Sequence, residues 1–158
     1  MNHFLTASQL HAQSRRFLDA YSVWMQPLSR ELSLAQTALD ILLFLANNPE
    51  NQTARDICAM RHLKPGIVSL HVETLVCQKL LAREPVPGDR RKLRLVPTKA
   101  AEPIIAKGRA MQARFAEMIS AGLREDELES FTRCLAVISQ NLERAAGGAE
   151  PAKEGATT

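Results

Sequence analysis

Apolar residues fall along the chain in two rhythms, and the change of rhythm outlines the fold. Leu10, Phe17, Tyr21 and Trp24 recur at helical spacing, predicting a first helix over about residues 3–26 that stops before Pro27. Ser33 and Gln36 form a capping-box pattern, in which each side chain satisfies an orphan amide of the first turn; the apolar run Ile41 to Ala46 follows, and this second helix ends at "NNP". Thr53 and Asp56 repeat the cap before a short helix, "ARDICAM". After the turn "RHL", Pro65 takes a helix start, and Val68, Val72, Leu75 and Leu80 supply the inward face of a longer helix expected to run to Lys79.

The period then falls to two. "LLARE" and "KLRLV" bracket a turn shaped by Pro87 and Gly88, and Leu93 and Leu95 alternate with Lys92 and Arg94 as a strand with one buried face requires. Thr98 is placed to cap a further helix to about residue 120, with Pro103 distorting its beginning. Glu125, Asp126 and Glu127 suit the positive end of a last helix, on which Leu128, Phe131, Leu135, Ile138 and Leu142 alternate at steps of three and four. That seam calls for a partner. Residues 147–158 are small and polar and are expected to form a disordered tail.

Short helix, tight turn, second helix and two-stranded hairpin, in that order, predict a mainly α fold with a small two-stranded β wing: a winged helix-turn-helix over about residues 34–98. In this fold the second helix enters the DNA major groove. The face opposite Val68, Val72 and Leu75 offers Lys64, Ser69, Leu70, His71 and Thr74 as candidate DNA-contacting residues.

Charge sharpens the picture. The chain has 158 residues, a formal net charge of +3 and a 46% apolar composition, enough for one folded domain and too apolar for a disordered chain. Residues 83–94 hold Arg83, Arg90, Arg91, Lys92 and Arg94 against Glu84 and Asp89, an excess equal to that of the whole chain. Alone, such a cluster reads as solvated surface. Placed after a helix-turn-helix it reads as a wing: a thin turn carrying arginine fits the minor groove, which is too narrow for a helix and most negative where A·T pairs narrow it. Asp89 is close enough in sequence to pair with Arg91 and fix its direction, and Arg90 and Lys92 are candidate phosphate contacts.

Other chemistry finds little support. No nucleophile with a base, carboxylate pair or phosphate-cradling glycine loop is evident, so the chain is expected not to be an enzyme and to need no cofactor. Cys58, Cys77 and Cys134 are widely spaced and read as buried packing thiols; the four histidines show no metal-ligand spacing, so no metal site is assigned. No secretory signal or membrane span is read from the chain, and a cytoplasmic location is expected.

The stretches "LSLAQTALDILLFLA", "TARDICAMRHLKPGIVSLHVETLVCQKLLARE" and "GDRRKLRLVPTKAAE" resemble the MarR family of bacterial transcriptional regulators over residues 30–145, the last by the family's wing signature, Asp-x-Arg followed by apolar alternation. The resemblance implies that Asp89 is the wing aspartate, Arg91 the minor-groove arginine and residues 65–79 the recognition helix. It implies a homodimeric repressor on pseudo-palindromic double-stranded DNA. Helices at about residues 3–26 and 99–145 would dimerise it, with Leu128, Phe131, Leu135, Ile138 and Leu142 in the interface. It also implies release by a small aromatic or phenolic effector, for which Phe17, Tyr21 and Trp24 are the candidate pocket residues. The chain departs from the family pattern at Leu70, where a polar or basic residue is common, at Lys64, where a capping serine is common, and at His62, where a turn glycine is common. Pro97 interrupts the usual Leu-Thr junction and is expected to end the second strand early. Two other readings stand beside the DNA regulator: a winged-helix homodimer that binds protein without specific DNA readout, and a metal-responsive regulator.

Overall fold

Helix α2 (Gln36–Asn47) is apolar over most of its circumference, and the first compact unit is built around it. The computed structural model describes residues 6–147; at the wing tip it describes the backbone of Arg90 and Arg91 but not their side chains. The described residues divide into two compact units, one up to Ala116 and one from Glu117 on, where the sequence reads as a single domain.

Leu39, Ile41, Leu42, Leu43 and Leu45 of α2 are fully buried. One side packs with Ile57 of α3 (Ala54–Arg61), with Val68, Val72 and Leu75 of α4 (Pro65–Cys77), and with Leu81 of β1 (Leu81–Val86) and Leu95 of β2 (Asp89–Pro97). The other side, Leu39 and Leu43, packs with Met25 and Leu28 of α1 (Ala7–Glu31). Burial of each such side chain contributes about 1.5–3 kcal/mol, so α2 anchors both the helix-turn-helix with its hairpin and the long first helix.

Helix α1 does not stop at Pro27 but continues to Glu31, with Thr6 as its N-cap. A proline removes one helical hydrogen bond and leaves the carbonyl four residues back unpaired. Here that carbonyl belongs to Val23, whose side chain is exposed, so water can take it, while Met25 and Leu28 hold the helix to α2 on the other side.

Ser33 does not cap α2. It adopts φ 51° and ends α1: Ser33 N–H donates to Arg30 O and Leu34 N–H to Ser29 O, the Schellman arrangement, and the cap position of α2 falls to Ala35. Gln36 instead donates from Nε2 to Ser22 O. The same device ends α4 two residues before Lys79. Lys79 takes φ 60°, its N–H donates to Val76 O, and Leu80 N–H donates to Leu75 O.

The wing is antiparallel, with Leu81 opposite Pro97 and Glu84 opposite Arg94. Pro97 therefore lies inside β2 rather than ending it early; the sheet has two strands, so each strand has an edge without a ladder partner, where a missing N–H is tolerated. Leu95 is buried and its N–H donates to Gln52 O at 2.7 Å, whereas Leu93 is 46% exposed, so only one of the two expected anchors reaches the core.

Thr98 gives no side-chain cap; its Oγ1 donates to Lys79 O, and a single 3-10 turn (Lys99–Ala101) precedes α5 (Glu102–Ile119), which holds Pro103 in its first turn, where a proline is tolerated. Gly108 of α5 faces Leu43 so closely that a β-carbon there would run into the Leu43 side chain.

In the second unit, α6 (Glu125–Ala146) begins with Arg124, whose backbone N–H donates to Glu127 Oε2 at 2.8 Å. None of its residues is buried. The expected tail lies, beyond Gly147, outside the described residues.

Candidate nucleic-acid interface

The module that meets DNA in a winged helix is assembled by local rules. Thr53 Oγ1 accepts from Asp56 N–H at 3.2 Å and Asp56 Oδ2 accepts from Thr53 N–H at 2.9 Å, closing the expected box at the start of α3. His62 ends α3 at φ 52°, ψ 38°, a left-handed conformation that histidine adopts more readily than most residues. Pro65 follows at the first position of α4, its fixed φ suited to helix entry.

With Val68, Val72 and Leu75 turned to α2, α4 presents Ile67, Ser69, Leu70 and Thr74 outward, and Lys64 stands exposed at its cap. His71 is half-buried, and Thr74 Oγ1 donates back to Leu70 O at 3.0 Å. Ser69 lies at the edge of a cleft of about 450 Å³ between α3, α4 and β2, with Arg55 and Arg83 also in its wall.

Recognition helix and wing are tied together. Arg83 Nη2 of β1 donates to Glu73 Oε2 of α4 at 2.6 Å, and the guanidinium holds the Glu73 carboxyl below its ordinary range. Across the wing, Arg94 donates to Glu84 through Nε at 3.0 Å and Nη2 at 2.6 Å. With Lys92 beside Asp89, three of the five cations counted in the sequence thus face carboxylates. At the tip, Gly88 has φ 84°, the turn conformation that Pro87–Gly88 was expected to set. Lys92 Nζ lies 3.7 Å from Asp89 Oδ2; the expected pairing of Asp89 with Arg91, and the position of the Arg90 side chain, lie outside the described residues.

Other assigned residues fall elsewhere. Phe17, Tyr21 and Trp24 form an aromatic cluster with Phe115, at centroid separations of 5.6, 5.4 and 6.0 Å. Trp24 Nε1 donates to Met111 O, and Tyr21 OH accepts from Gln112 Nε2. Leu128 is half-buried, and Phe131, Leu135, Ile138 and Leu142 of α6 are exposed. Cys77 and Cys134 are exposed and Cys58 half-buried, so the reading of all three as buried thiols is corrected. Among the described residues no group of three His, Cys, Asp or Glu side chains is placed to hold a metal, and no described helix is long and apolar enough to cross a membrane.

Sequence reasoning missed two features. Ile67, one position before the inward Val68, is 42% exposed beside Leu70, itself 61% exposed; its spacing of seven from Thr74 was the available signal. Asp40 of α2 has a buried Oδ1 without a hydrogen-bond partner; burial raises its carboxyl to about 6, although Arg61 acts in the opposite direction.

A short helix, a left-handed turn, an outward-facing second helix and a basic hairpin define a winged helix-turn-helix DNA-binding protein. Residues 32–92 match the model of the MarR family. The structure resembles that of the transcriptional regulator PA3341, with 28% identity and a TM-score of 0.70 over 88% of this chain and 99% of that one. It also resembles S. aureus MepR in a DNA complex, with 17% identity and a TM-score of 0.66 over 90% and 99% of the two chains. A third likeness is to Bordetella bronchiseptica BpsR, whose DNA binding is regulated by 6-hydroxynicotinic acid, with 19% identity and a TM-score of 0.63 over 86% and 96%. No curated protein sequence matches the chain. The match to the MarR family covers residues 32–92, the solved structures share the winged-helix fold over most of the chain, and no enzyme family is indicated.

Proposed function

We propose that two copies of this chain bind a pseudo-palindromic DNA operator as a repressor, each placing α4 in a major groove and its wing in the adjoining minor groove. Lys64, Ser69, Leu70, His71 and Thr74 meet the major groove. Arg91 enters the minor groove, Asp89 orients it, and Arg90 and Lys92 hold phosphates. The observation that carries this reading is the Glu73–Arg83 bridge, which presents recognition helix and wing as one piece. Helices α1, α5 and α6 form the dimer, with Leu128, Phe131, Leu135, Ile138 and Leu142 covered by the second copy. A small aromatic or phenolic effector releases the DNA, as 6-hydroxynicotinic acid regulates BpsR; the cluster of Phe17, Tyr21 and Trp24, with Phe17 half exposed, has matching chemistry.

Selection of bound duplexes from a random pool tests the reading. The expected product is an inverted repeat with half-sites about one helical turn, roughly 34–36 Å, apart. A pool that stays random after repeated selection refutes it. The second reading, a protein-interaction module, draws on the exposed Met60, Ile67 and Leu70.

A further inference from the structure

Between Pro65 and Cys77 the recognition helix, "PGIVSLHVETLVC", contains no Arg, Lys, Asn or Gln. Those are the side chains that make bidentate hydrogen bonds to guanine or adenine in the major groove. Its one acid, Glu73, is held by Arg83, and its Thr74 hydroxyl donates to the backbone. What remains on the outward face near the helix start, the part that meets base edges, is Gly66, Ile67, Ser69 and Leu70. Open space surrounds the missing β-carbon of Gly66, so the backbone itself can approach closely. Ile67 and Leu70 put two branched aliphatic groups into solvent on neighbouring turns. An apolar pair could also suit a protein, but Lys64 stands exposed at the cap of the same helix and Arg55 shares a cleft with Ser69, so positive charge borders the start of α4, which fits a polyanion.

The major groove has one apolar group at base edges, the C5 methyl of thymine. We propose that this helix reads its operator through thymine methyls packed against Ile67 and Leu70, not through hydrogen bonds to guanine. The inference rests on the operator-binding reading above and gives it a sequence class: half-sites with thymine under the start of α4.

Replacing thymine by deoxyuridine removes that methyl and nothing else. In the inverted repeat recovered by selection, each half-site thymine is replaced in turn and affinity is measured by fluorescence anisotropy. At the contacted positions the loss expected is about fourfold per methyl, or about 0.8 kcal/mol. Leu70→Ala and Ile67→Ala, both at exposed sites and checked for unchanged melting, should each lose the difference between thymine and uracil at the position that side chain packs on and keep it at the other. A repeat that is bound equally with uracil throughout, or that loses affinity only when guanine N7 is removed with 7-deazaguanine, overturns methyl readout and leaves the operator reading standing. A pool that yields no repeat overturns both.

Discussion

Helices α2 and α6 both carry leucine, isoleucine and phenylalanine at helical spacing, yet Leu39, Ile41, Leu42 and Leu43 are fully buried while Phe131, Leu135, Ile138 and Leu142 are 43–64% exposed. The difference lies in the rest of each helix. α2 is apolar over most of its circumference, with Gln36, Thr37, Asp40 and Asn47 on the remaining arc, and most of it is enclosed in the core; α6 has one apolar stripe among Glu, Arg, Ser and Thr and none of its residues is buried. Periodicity therefore identifies both as helices, and the composition off the stripe says which builds the core and which keeps its stripe at a surface.

Substitutions should separate the two helices by what they damage. Phe44→Ala in α2 removes a buried ring that also lies 5.1 Å beneath the Arg61 guanidinium, and should cost about 3–5 kcal/mol in denaturant melts. Leu135→Asp in α6 should leave the melting of the winged-helix unit unchanged. Its effect should appear as monomers in light scattering and an affinity for the full inverted repeat lower by about two orders of magnitude, because the two half-sites then bind independently. A dimeric Leu135→Asp variant would refute the seam.

Two smaller effects concern the surroundings of α2. Asp40 holds its proton more tightly folded than unfolded, with a carboxyl near 6 against the ordinary 3.8. Its ionisation therefore weakens the fold progressively as pH rises between about 4 and 6, and fully above that. Asp40→Asn should raise stability at pH 7.5 by about 1–2 kcal/mol, allowing for partial exposure, with no gain at or below pH 4. A gain independent of pH would contradict burial as the cause. Gly108→Ala sets about 1 kcal/mol of helix propensity against an overpacking cost of about 1–3 kcal/mol at Leu43, and should be net destabilising by about 1 kcal/mol.

The smallest stability effect should come from Glu73→Gln. Its exposed bridge to Arg83 contributes little to the fold, so melting should be unchanged while selectivity between operator and random DNA falls as helix and wing lose their link.

Much of this was legible in the chain because local rules decided it. The Thr53–Asp56 box, the proline at the start of α4, the inward Val68, Val72 and Leu75 and the Pro87–Gly88 tip depend on neighbours a few residues away. The misreadings arose where a distant partner decided. Pro27 lies in a continuous helix because Met25 and Leu28 are fixed to α2, and Ser33 ends α1 because Leu34 is drawn into the core. Leu93 alternates correctly yet is too near the tip to reach the core. At the interface, the sequence gives the number of wing cations but not that Arg83 and Arg94 face Glu73 and Glu84. Leu70 departs from the family pattern, and the exposure of Ile67 one turn before it depends on how α4 packs on α2.

The central claim is that the α2 core forms a reading head and the α6 seam brings two such heads to one site. Static light scattering of the chain mixed with the selected inverted repeat weighs that complex directly. Two chains in the complex on the full repeat, and one chain in that of the Leu135→Asp variant on a single half-site, is the predicted result; one wild-type chain bound to the full repeat with undiminished affinity would contradict it.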